Sequence, residues 1–208
     1  MIPPRMPIAI VRLDDLSAAV EIAQSLVAGG LTALEYTLTN NAALHAVEQA
    51  RAALGEAAQI GVGTVLSGAQ ARDAIAAGAQ FLVTPVLRRD VIAEGATQGV
   101  PVVCGAYTPT EIWEAWQAGA PFVKLFPARS LGPSFVRDVL APLPMLKLIP
   151  TGGVDLDNCA DYLQAGAYSV GIGGNLVAAK LVAARDWAEL TRRARAFVAA
   201  CTRQSLPQ

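Results

Sequence analysis

Ala118-Gly119-Ala120-Pro121-Phe122-Val123-Lys124-Leu125-Phe126-Pro127 joins a small, glycine-centred turn to a short apolar run. The unit recurs along the chain. Ala28-Gly29-Gly30, Ala77-Gly78-Ala79 and Ala165-Gly166-Ala167 each precede another run of the same kind, and Gly99 takes that place before one more. Glycine there suits a helix C-cap that turns into the next strand. Eight runs are expected as strands, at residues 8–11, 33–38, 59–65, 81–85, 101–106, 122–127, 147–151 and 168–173. Helical patterns lie between them, over residues 17–27 with Val20, Ala23, Leu26 and Val27 on the apolar side, and over 42–54 and 68–77. Thr108-Pro109-Thr110-Glu111 reads as a capping box with proline at the first helical position, opening a helix that carries Ile112, Trp113 and Trp116. Eight strand–helix alternations at a spacing of about 20 to 24 residues predict an α/β fold of the (β/α)8 TIM-barrel class. The competing architecture is a doubly wound open sheet. It usually has fewer strands and a Gly-rich fingerprint after the first, whereas the first run here ends in Arg12-Leu13-Asp14-Asp15.

The 208 residues, 53% hydrophobic, suffice for one barrel domain over 1–208, with a tail expected to fray from about residue 204. A formal charge of -1 without a basic run gives no footprint for nucleic acid or an anionic membrane surface. Arg192, Arg193 and Arg195 fall in a helical pattern and read as a solvated face. Cys104, Cys159 and Cys201 are odd in number and widely spaced, which suits a reducing compartment. With no signal peptide and no membrane-length apolar run in view, a cytoplasmic protein is expected. Residues 1–7 hold three prolines and enter the first strand without a helix, so the bottom of the barrel is expected to be thinly covered.

The polar residues at the strand ends are where a barrel does chemistry. Lys124 stands inside a buried run in a chain with only three lysines against thirteen arginines. A desolvated lysine loses its preference for the charged form and can attack a carbonyl carbon to form a Schiff base. The plain alternative is a strand-end lysine that snorkels to water. By the period-two rule Glu35 and Thr37 share one face of the second strand, and Phe122, Lys124 and Phe126 one face of the sixth. Those strands lie opposite each other in a ring of eight, so Glu35 and Lys124 face across the barrel. A carboxylate opposite an imine-forming lysine can shuttle protons; a buried ion pair that only fills the barrel is the alternative.

The last two strands end in Pro150-Thr151-Gly152-Gly153-Val154 and Gly171-Ile172-Gly173-Gly174-Asn175. Paired glycine loops there present backbone N–H groups to a phosphate, though glycine also simply serves a strand-to-helix turn. His45 is the only histidine and sits in a helical pattern, against a Ser-His-Asp triad or a His-ligated metal. Asp155 and Asp157 are expected to cap the next helix, Cys104 to fill the core, and Lys147 and Lys180 to be solvated.

Glu35-Tyr36-Thr37-Leu38, Gly61-Val62-Gly63-Thr64-Val65, Thr84-Pro85, Lys124-Leu125-Phe126-Pro127, Pro150-Thr151-Gly152-Gly153 and Gly171-Ile172-Gly173-Gly174 follow one another in chain order. From about Ile8 to Asn175 the sequence thereby resembles the 2-keto-3-deoxy-6-phosphogluconate (KDPG) and 4-hydroxy-2-oxoglutarate (KHG) aldolases. The resemblance implies a class I (β/α)8 aldolase without metal or cofactor, a homotrimer whose partners are a small-molecule keto acid and a phosphorylated aldehyde. It makes Lys124 the Schiff-base lysine and Glu35 the general acid/base. Thr64, Pro85 and Phe126 would line the pyruvate half of the site, while Thr151, Gly152, Gly153, Gly173 and Gly174 hold the distal phosphate. The chain departs from the family pattern where substrate is read. KDPG aldolases usually carry Arg directly after the Glu-x-Thr-Leu segment to hold the substrate carboxylate, and this chain has Thr39. Arg12 can reach the same cavity, and phosphogalactonate aldolases are similar in having Arg at that place. Asn175 stands where a Ser often contacts phosphate, and the usual N-terminal covering helix is missing. The expected reaction is retro-aldol cleavage of KDPG to pyruvate and glyceraldehyde 3-phosphate. KHG or a phosphogalactonate analogue are the sister substrates. A non-catalytic phosphate-binding barrel, or a scaffold that assembles through Trp113 or Trp116, is the reading of another class.

Overall fold

The computed structural model describes residues 2–203; the tail expected to fray from residue 204 lies outside the described residues. Eight short parallel strands form one sheet: β1 Ile8–Val11, β2 Ala33–Thr37, β3 Gln59–Gly63, β4 Leu82–Val83, β5 Val102–Ala106, β6 Phe122–Leu125, β7 Leu148–Pro150 and β8 Gly171–Ile172. Their order is β7-β6-β5-β4-β3-β2-β1-β8. A bridge between Thr151 and Gly171 and a 2.8 Å hydrogen bond from the Tyr168 amide to the Leu148 carbonyl bring β7 and β8 together, which closes the ring. Helices follow each strand, so this is a TIM barrel.

The glycine turns repeat as the sequence predicts. Gly30, Gly78, Gly99, Gly119 and Gly166 all adopt positive φ, between 70° and 103°, where a side chain is strained. Helix α1 covers Ala19–Ala28, and its buried stripe is Ala19, Ile22, Ala23 and Leu26. Val20 and Val27, expected on that stripe, are only half-buried. Then come α2 (Ala43–Leu54), α3 (Gly68–Ala76), α4 (Arg89–Gln98) and α5 (Pro109–Gln117). At α5 the Thr108 side chain accepts from the Glu111 amide, and the Glu111 carboxylate accepts from the Thr108 amide, as a capping box requires. The ring continues with α6 (Gly132–Leu140), α7 (Cys159–Gln164), α8 (Ala179–Ala183) and α9 (Trp187–Thr202).

Alternation along the strands separates two apolar layers. Leu34, Tyr36, Val123 and Leu125 face outward into the large core beneath the helices. Ile8, Ala33, Phe81, Val83, Val103, Phe122 and Ile149 fill the barrel interior with Ile2. Cys104 belongs to the outer layer as a buried filler. The thin cover expected at the bottom is not what forms. Ile2 is 1% exposed and packs into the interior cluster with Met6 and Tyr168 against it. The Tyr168 hydroxyl donates to the Ile2 carbonyl at 2.8 Å, and the Arg5 amide donates to the Tyr168 carbonyl at 2.7 Å. Lys147 stays exposed while its ammonium lies over the Phe122 and Tyr168 rings. A proline-rich strap thus does the closing. No helix of the described residues is long and apolar enough to cross a membrane.

Candidate active site

With the bottom plugged by hydrocarbon, the polar positions of the strands gather toward the C-terminal mouth. Register puts Glu35 opposite Ile10 and Gly61, and Lys124 opposite Gly105 and Ile149. Both side chains are buried, at 1% and 4% exposure. Lys124 Nζ sits 5.1 Å from the centroid of the Phe126 ring, an apolar neighbour for an amine. Burial lowers the Lys124 pKa from its ordinary value; the Glu35 charge opposes that shift and the Arg12 charge adds to it. Burial raises the Glu35 pKa against the pull of Lys124 and Arg12. Each group is therefore moved toward neutrality, and Glu35 Oε1 is buried without a hydrogen-bond partner among the described residues. An unpaired buried carboxyl oxygen costs stability and is kept where a ligand can use it.

Beside this pair lies a cavity of about 430 Å3, lined by Arg12, Phe126, Arg129, Thr151 and the glycines of the last two strand ends, with Asn175. Gly152 and Gly153 hold consecutive positive φ values of 89° and 86°, a geometry that side chains resist. The amides of Gly152, Gly153, Gly173 and Gly174 donate to no backbone carbonyl among the described residues, so they are available to an anion. Asn175 donates to the Val154 carbonyl at 2.9 Å, which fixes its side chain between the two loops. Thr151 is buried, its hydroxyl donating to the Ile149 carbonyl at 3.2 Å.

The remaining expected site residues lie elsewhere on the mouth. Thr39 is exposed and shares a 2.8 Å hydroxyl hydrogen bond with Thr37 rather than lining the cavity. Thr64, at φ 61°, and Pro85 flank the β3–β4 side, where Pro85 lies against Gly105. Among the described residues no group of three or more His, Cys, Asp or Glu side chains comes together as a metal-ligand set. His45 is exposed on α2, 3.4 Å from Glu48. Asp155 does not cap α7 as expected. Its carboxylate accepts from the Asp157 and Asn158 amides in the turn before that helix, and Asn158 occupies the cap position without a side-chain bond to the helix.

The family model for KDPG and KHG aldolase matches residues 5–193 of this sequence. The chain belongs to the KDPG and KHG aldolase family. Among curated relatives, the 2-dehydro-3-deoxy-phosphogluconate aldolase of Treponema pallidum is 37% identical over 185 residues, covering 88% of each chain. The KDPG aldolase of Legionella pneumophila, solved with pyruvate captured as a covalent carbinolamine intermediate, superposes with a TM-score of 0.86. It is 29% identical, and the match covers 92% of this chain and 93% of that one. A structure described as native KDPGal superposes at 0.87 with 30% identity, over 93% of both chains.

Two features of this aldolase's mouth escaped the motif reading. Asn40 ties the end of β2 to that of β1 by donating to the Leu13 and Asp14 carbonyls at 3.0 and 2.8 Å. Arg129 enters the cavity from the 3-10 turn Ala128–Ser130, just past Pro127 where the strand motif ends. The signal for Arg129 was its place in the sixth strand-to-helix loop, at the functional end of a barrel.

Proposed function

We propose that this aldolase reversibly cleaves 2-keto-3-deoxy-6-phosphogluconate to pyruvate and glyceraldehyde 3-phosphate through a Schiff base on Lys124. The observation that carries the reading is the buried Lys124–Glu35 pair, both members shifted toward neutrality, at the edge of a glycine-lined cavity that suits an anion. Neutral Lys124 attacks the C2 carbonyl, and the carbinolamine takes a proton from the neutral Glu35 carboxyl and loses water, leaving an iminium and the Glu35 carboxylate. The Glu35 carboxylate takes the C4 hydroxyl proton, the C3–C4 bond breaks, and its electron pair passes into the iminium to give an enamine. The aldehyde leaves. Protonation at C3, with Glu35 returning the proton, and hydrolysis then release pyruvate and regenerate the amine.

Arg12 is assigned to the substrate carboxylate by a charge-assisted contact. The amides of Gly152, Gly153, Gly173 and Gly174, with Thr151 and Asn175, are assigned to the distal phosphate, and Thr64, Pro85 and Phe126 to the pyruvate half. A cytoplasmic homotrimer is proposed with this activity on the strength of the family resemblance, and sedimentation of the purified protein measures the assembly.

A second reading keeps the imine and changes the substrate to the phosphogalactonate analogue. It is favoured by Arg12 lining the cavity while Thr39 stays outside. Measuring kcat/KM on KDPG, its galactonate epimer and KHG decides between the readings. The proposal expects KDPG to be turned over best. A preference of tenfold or more for the epimer or for KHG would replace it.

A further inference from the structure

Arg129 has no carboxylate partner among the described residues, in contrast to Arg72, Arg88, Arg89, Arg192 and Arg193, which pair with Glu94, Asp90, Glu114 and Glu189. Its stem lies across the backbone of Gly153. A methyl group at Gly153 would stand 2.7 Å from Arg129 Cβ and 3.0 Å from its Nε. That contact aims an exposed guanidinium over the glycine loop whose amides are unclaimed by other backbone groups. Arg12 lines the same cavity. Its charge acts on both Glu35 and Lys124. The cavity therefore carries two cations, Arg12, whose charge acts on Lys124, and Arg129, packed on the Gly153 backbone.

A keto acid with its carboxylate beside the reacting carbonyl and a second anion at the far end of the chain suits a cavity with two cations. We propose that Arg129 is a specificity-determining residue that binds the terminal phosphate of the substrate from above the Gly152–Gly153 loop. It thereby makes this aldolase select keto acids that end in a dianion. Guanidinium suits the task because it stays charged and presents two parallel N–H donors to phosphate oxygens. The inference rests on the imine reading of Lys124 and deepens it by adding a charged side chain to the backbone amides already assigned to the far end of the substrate.

The test compares the ratio of kcat/KM for KDPG over its unphosphorylated analogue 2-keto-3-deoxygluconate in the wild type, Arg129→Gln and Arg129→Lys. One charge-assisted contact corresponds to a fall in that ratio of about 10- to 100-fold in Arg129→Gln, expressed mainly in KM. Arg129→Lys recovers part of it. Competitive inhibition by inorganic phosphate weakens in the same order. A ratio within twofold of wild type in Arg129→Gln, or equal losses on both substrates, overturns the Arg129 assignment and leaves the imine reading standing. Pyruvate trapping by borohydride in the wild type is run alongside; if no adduct forms on Lys124, the imine reading itself has failed.

Discussion

Gly63 presses bare backbone against the Glu35 carboxyl: a methyl group at Gly63 would stand 2.5 Å from Oε1 and 2.8 Å from Cδ. The contact is with the far end of the Glu35 side chain, buried on β2 beside the strand that carries Gly63, so the carboxyl is the group that must give way. Gly63→Ala is therefore expected to push the carboxylate out of position. A displacement of about 1 Å lowers kcat by roughly 10²-fold, and overpacking costs about 1–3 kcal/mol in urea unfolding. Wild-type kcat in a folded Gly63→Ala enzyme would show that Glu35 does not need its present position.

The opposed shifts of Lys124 and Glu35 predict how imine formation follows pH. Only the free amine attacks, so the rate of pyruvate trapping rises with pH through the lysine pKa of the folded enzyme, which burial holds below 10.5. Arg12→Gln removes a cation that lowers this pKa, so the rise moves to higher pH. Glu35→Gln removes the anion that raises it, so the rise moves to lower pH, while aldol turnover falls by about 10²- to 10⁴-fold. The profiles are measured as trapping rates at saturating pyruvate. Shifts of both variants in the same direction would contradict the electrostatic account.

The proline-rich strap is expected to contribute to stability rather than to catalysis. Ile2 is 1% exposed inside the barrel cluster, so Ile2→Ala is expected to cost about 2–5 kcal/mol in urea unfolding, as other buried truncations do. Tyr168→Phe, which loses the hydroxyl bond to the Ile2 carbonyl, costs about 0.5–1.5 kcal/mol. Both variants retain pyruvate trapping on Lys124. A change under 0.5 kcal/mol for Ile2→Ala would mean that the plug is dispensable.

The barrel was legible because its signals are local. Glycines at Gly30, Gly78, Gly119 and Gly166 turn helices into strands within a few residues, and Lys124 is conspicuous wherever an apolar run surrounds it. Strand ends were less legible. The runs at 81–85 and 168–173 form ladders only over Leu82–Val83 and Gly171–Ile172, because an apolar run records burial and not pairing. Thr84 spends its hydroxyl on the Val86 carbonyl and the Gly105 amide, and Tyr168 turns its ring to the plug. That plug depends on contacts between Ile2 and Tyr168, 166 positions apart, which no local pattern encodes. Arg129 was missed for a related reason. Its importance comes from a neighbour, Gly153, that belongs to the next strand-to-helix loop.

The central claim is that Lys124 is the amine that becomes covalently attached to the keto acid. Borohydride reduction of the enzyme in the presence of pyruvate, followed by peptide mass mapping, reads this directly. Lys147 and Lys180, both exposed, serve as internal comparisons, since chemistry without a built site would mark accessible amines first. The account predicts a single reduced adduct on the peptide containing Lys124, lost in Lys124→Met. Modification of Lys147 or Lys180 instead, or no adduct at all, would contradict it.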